Sequence, residues 1–121
     1  MEEANALDLA ARLRDLTLAQ LEAARTGQWE TATEYLRQRG LVLQRLQALD
    51  PARLDEPCRA AIAALLEEVR ALDRELVALV ETALEAAREE QRTLERNDAA
   101  ARGYRRALGA SGAAGIVDRE V

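Results

Sequence analysis

The stretch CRAAIAALLEEVRALDRELVALVETALEA, residues 58–86, decides the fold. Within it Cys58, Ile62, Leu65, Val69, Leu72, Leu76, Leu79, Ala83 and Ala86 recur in alternating steps of four and three. An α-helix turns once in 3.6 residues, so this spacing lays all of these side chains along one face. Leu66, Val77 and Val80 widen that face, as expected when a helix touches two neighbours in a bundle. Glu67, Glu68, Arg70, Asp73, Arg74 and Glu75 fall on the flanks and predict a solvated surface.

Upstream, residues 50–57 read as a connection with two helix starts. Asp50-Pro51 and Asp55-Glu56-Pro57 each set an acid before a proline. The proline has no N–H to leave unpaired, and the carboxylate meets the positive end of the helix dipole. A short helical turn fits between them. The preceding helix is predicted over residues 29–49, with Trp29, Ala32, Leu36, Leu43 and Leu46 as its inward stripe and Arg39/Gly40 filling the intermediate turn. It ends before Pro51, because the residue ahead of a proline avoids helical angles. Trp29 is expected in the core between helices, and Gly40 where a neighbouring backbone comes close. The first helix is predicted over residues 4–26, with Leu9, Leu13, Leu16 and Leu21 on one side. Gly27 closes it, since glycine readily takes the left-handed conformation of a helix end.

Downstream of Ala86 the pattern thins. Arg88-Glu89-Glu90-Gln91-Arg92 is polar, and Leu94, Ala101, Tyr104 and Leu108 trace a weaker stripe. Asn97-Asp98 is a natural place to close one helix and cap another. The helices are therefore expected at residues 57–96 and 98–108, followed by a flexible Gly/Ala-rich tail over 109–121. Helices one and two would each be roughly 30–35 Å long, whereas a continuous helix from Cys58 to Leu108 would reach roughly 75 Å. Either the chain turns near Asn97 and returns, or its end docks elsewhere. The predicted fold is all-α: an antiparallel bundle of three long helices plus a shorter C-terminal helix, in one domain over residues 1–108.

Composition agrees and excludes much chemistry. Hydrophobic residues make up 49% of the chain and aromatics only 2%, with no Phe, so the core must come from Leu, Ala and Val. These favour helices over sheets. The formal charge of −5 argues against non-specific binding to nucleic acid, which depends on neutralising phosphates. All 17 basic residues are Arg, which removes lysine Schiff-base chemistry. The chain has no His, so histidine metal ligands and Ser-His or Cys-His catalysis are out of reach. Cys58, the one cysteine, has no internal disulfide partner and reads as a small buried hydrophobe. The acidic start Met1-Glu2-Glu3 lacks the basic and apolar blocks of a signal peptide, and no apolar run approaches the ~20 residues that span a bilayer. A cytoplasmic protein without membrane insertion is expected.

Enzymatic readings find little to stand on. Gly27, Gly40 and Gly103 are isolated, and the Gly109–Gly115 run lacks the spacing of a phosphate loop. Neighbouring acids such as Glu89-Glu90 point about 100° apart on a helix and do not converge on one substrate. Arg12, Arg39 and Arg45 imitate part of the dicarboxylate site of all-α chorismate mutases, but the lysine of such a site is absent. No catalytic residue, cofactor or metal is predicted.

Three features in order resemble the FliT family of bacterial flagellar export chaperones. They are Ala24-Arg25-Thr26-Gly27-Gln28-Trp29-Glu30 between the first two helices; Leu36-Arg37-Gln38-Arg39-Gly40-Leu41-Val42-Leu43-Gln44-Arg45-Leu46; and the long third helix with its basic end Ala101-Arg102-Gly103-Tyr104. The likeness runs from about Leu9 to Leu108, and the Gly/Ala-rich extension departs from it. It implies a cytoplasmic chaperone that keeps the flagellar filament-cap protein unpolymerised and helps deliver it to the export apparatus. Contacts with the export ATPase complex and with a flagellar transcription activator are implied as well. On this reading an apolar groove between helices two and three takes an amphipathic helix of the client, with Leu36 and Leu43 on its wall. Leu94, Tyr104 and Leu108 would occupy or flank it in the free protein. Two alternatives stay open: a homodimeric coiled-coil adaptor paired through the Cys58–Ala86 seam, and an export chaperone for hook-filament junction proteins.

Overall fold

The computed structural model describes residues 2–110, all the regular structure of which is helical. Helix α1 spans Glu2–Arg25, α2 spans Trp29–Gln47, a single 3-10 turn covers Pro51–Arg53, and α3 runs Glu56–Ala110. The tail expected over residues 109–121 falls mostly outside the described residues; Gly109 and Ala110 still belong to α3.

The stops and starts follow local chemistry. After Arg25 the backbone enters the left-handed region at Gly27, with φ of 74°. The Gln28 N–H then donates to the Ala23 carbonyl at 2.8 Å and the Gly27 N–H to Ala24 at 3.1 Å, the paired bonds that satisfy the last carbonyls of a helix. Both acid-proline caps form. The Asp50 carboxylate accepts from the Ala52 N–H at 3.0 Å, and that of Asp55 from the Cys58 N–H at 2.8 Å.

The chain divides after Glu81 into two units. In the first, Leu9, Leu13 and Leu16 of α1, Val42 of α2 and Val69 of α3 form one buried cluster, lined further by Tyr35, Leu46, Leu49 and Leu66. Leu21 and Ala24 pack with Leu76 in a second, flanked by Leu72 and Leu79. From Cys58 to Leu79 the decisive seam of α3 thus faces inward, with Cys58 buried at its head, whereas Ala86 at its far end is exposed. Thr17, fully buried, donates its hydroxyl to the Leu13 carbonyl at 2.7 Å.

Three expectations are corrected. The inward stripe of α2 is Ala32, Tyr35, Arg39, Val42 and Leu46, continued by Leu49 just past its end, and is rotated from the expected one, so that Leu36 is 52% exposed and Leu43 39%. The reason is Arg39. Its guanidinium reaches Asp73 of α3 at 2.8 and 3.0 Å and Gln20 of α1 at 2.8 Å, so the turn expected to hold Arg39/Gly40 is held inward by a polar node and the flanking leucines rotate outward. Trp29 opens α2 half exposed, outside both clusters. A Cβ built on Gly40 would meet nothing within 4 Å, so no neighbouring backbone approaches it.

In the second unit, the separate helix expected over residues 98–108 is absent: α3 passes through Asn97-Asp98 without a break. Neither residue is followed by proline, and Ala99, Ala100 and Ala101 favour continued helix. The Asp98 carboxylate, a potential cap, instead accepts from Arg102 one turn on at 2.7 Å.

Candidate protein-binding groove

An apolar concavity of the first unit lies where α2 ends and α3 begins. Leu43, Leu46 and Leu49 supply one wall, and Ile62, Ala63 and Leu66 the other. Pro51 and Leu54 close one end, Arg59 stands at the rim, and the volume is about 430 Å³. The two caps create this space. Asp50 and Asp55 fix the short turn between them, which brings α3 back beside α2 while Leu54 is held in extended backbone. Arg59 also donates to the Pro51 carbonyl at 3.3 Å, tying the first turn of α3 to the connection.

The lining is mostly apolar, with Gln47 and Arg59 as its polar side chains. It suits an apolar side-chain stripe more than a polar small molecule, and burial of that stripe would supply the attraction. Of the expected residues, Leu43 lines the groove and Leu36 lies two helical turns earlier on the exposed face of α2. Leu94, Tyr104 and Leu108 belong to the second unit, where Leu94 is 58% and Tyr104 69% exposed, and Leu108 is half-buried. The reading by residue pattern missed Leu46, Leu49, Leu54, Ile62 and Leu66 as lining groups. The available signal was the pair of acid-proline caps, which fixes where α2 and α3 diverge.

Elsewhere in the first unit, charges pair on the surface. Arg37 and then Gln38 donate to Glu34 and hold its carboxyl below the usual range. Arg14–Glu68 and Arg25–Glu75 bridge α1 to α3 at 3.4 and 2.9 Å. Arg39, one of three arginines that imitate a dicarboxylate site, is committed to Asp73 and Gln20. Among the described residues no three His, Cys, Asp or Glu gather as metal ligands, and no helix is long and apolar enough to cross a membrane.

The family model described as flagellar protein FliT matches residues 7–106. The chain belongs to the FliT family. That match spans the Gly27 turn, both caps, the groove, and Leu94 and Tyr104 of α3. FliT proteins are flagellar export chaperones and not an enzyme family, in keeping with a site built from apolar walls. No curated protein and no solved structure matches the chain significantly.

Proposed function

We propose that this FliT protein is a cytoplasmic export chaperone for the flagellar filament-cap protein, and that it holds an amphipathic helix of that client in the groove between α2 and α3. The observation that carries the reading is the apolar lining of Leu43, Leu46, Leu49, Leu54, Ile62 and Leu66, open to solvent in a member of a flagellar family. Helices α1 to α3 are taken to form an antiparallel bundle up to Glu81. The order of the pairs Gln20–Arg39, Arg39–Asp73 and Val42–Val69 supports this. A client helix awaiting assembly exposes the stripe through which it would join its own copies. Burying that stripe keeps the client single.

Leu36 extends the groove wall along α2, and Leu94, Tyr104 and Leu108 give a second protein-binding stripe on α3. Delivery then requires contact with the export ATPase complex, and a flagellar transcription activator is a further partner in the same proposal. Isothermal titration of the purified cap protein tests it, with a hook-filament junction protein titrated in parallel. Micromolar or tighter binding to the cap protein alone is expected. Binding to the junction protein alone would reassign the client, and binding to neither would end the proposal.

A further inference from the structure

We infer that the client site runs past the groove along α2 and α3, over a notch at Gly40 to a basic seat at Arg74, and so selects a helix carrying an acidic side chain about three turns from its apolar anchors. This rests on the reading of the groove as the client site. The groove alone is too short for its occupant. It meets α2 over little more than its last turn and α3 over about two turns, roughly 10 Å. A helix of fewer than about 12 residues has little stability of its own, and one of that length spans about 18 Å. Pro51 and Leu54 close one end of the groove, so the surplus lies toward Gly40.

On α2 the exposed Leu36, Gly40, Leu43 and Gln47 follow in steps of four and three, which carries the groove wall at Leu43 and Gln47 on to Leu36 along one face. Gly40 is the odd member. Glycine weakens a helix interior, and nothing inside the fold asks for it here. Its φ is not left-handed, and a Cβ would meet nothing within 4 Å. Between two exposed leucines it leaves bare backbone, where a second helix settles at the short end of the roughly 8–10 Å usual between axes.

The other wall continues too. On α3, Ile62 and Leu66 are followed on the same face by Arg70, Asp73, Arg74 and Val77, which line a second concavity of about 380 Å³. Arg39, next to Gly40, holds Asp73 at 2.8 Å, so notch and second concavity stand at one level. Asp73 is thereby occupied, and Arg70 pairs with Glu67. Arg74 is exposed and has no ion-pair partner among the described residues. It lies about 18 Å along α3 from Ile62. A client carboxylate at that distance meets Arg74 while its apolar neighbours cover Val77.

Titration calorimetry of purified filament-cap protein against full-length variants tests the extension. Gly40→Leu is expected to raise the urea midpoint yet weaken binding about tenfold, opposite signs that a merely structural glycine would not give. Arg74→Glu is expected to weaken binding about tenfold at about 0.05 M salt and less at about 1 M, because the lost pair is screened. Arg12→Glu, the same charge change on an exposed position of α1, should leave affinity unchanged. Undiminished binding by either Gly40→Leu or Arg74→Glu, with the wild type binding normally, would overturn the inference and leave the groove reading standing. Cap protein that does not bind the wild type would remove both.

Discussion

Arg39 shows how a single side chain redirects a helix. Its guanidinium, 15% exposed, links α1, α2 and α3 through Gln20 and Asp73, and leucines that look core-forming are turned outward as a result. Truncating it leaves Asp73 without its partner, and Arg39→Ala is expected to cost about 1–2 kcal/mol in urea denaturation. Gly40 predicts the reverse sign. A methyl group there meets open space on an exposed helix face, so Gly40→Ala should stabilise the protein by about 1 kcal/mol in the same experiment. The sign of Glu34 also follows from its partners. Its carboxyl is held low by Arg37 and Gln38, so the stabilisation is present above the unfolded-state value and lost as pH falls through the folded one. Thermal melts below pH 5 should therefore fall more steeply for the wild type than for Glu34→Gln. The stripe already set Arg39/Gly40 at the inward turn, but the bond to Asp73 was not legible, because spacing along one helix does not say which carboxylate, here 34 residues away, faces it.

At the scale of elements the sequence was informative wherever a local group decides the outcome. Gly27 ends α1, and the Asp50 and Asp55 carboxylates cap the turn and α3, because each acts on backbone within a few residues. Asp55→Ala should lower stability by about 1 kcal/mol through the lost bond to the Cys58 N–H. The seam from Cys58 to Leu79 was equally plain, since repeated steps of four and three leave one solution. Asn97-Asp98 misled because capping residues act as caps only where the chain gains from stopping; here alanines follow and Arg102 occupies the carboxylate. The groove was visible only as a pair of helices, and its lining needed the path of residues 50–55. Leu43 stands at its wall yet is exposed, so Leu43→Glu should leave the melting temperature unchanged and weaken client binding at least tenfold by titration calorimetry.

For the molecule as a whole, both buried clusters are built from residues before Glu81. Removing residues 82–121 should therefore shift the melting midpoint by only a few degrees, checked by calorimetry. The chain carries a single indole, Trp29, half exposed where α2 begins, and the groove lies roughly 20–25 Å further along that helix. Its fluorescence is thus a local lamp at the α1–α2 corner. A client seated between α2 and α3 should leave the emission maximum where it was, and a blue shift on mixing would reveal a guest sitting at the corner instead.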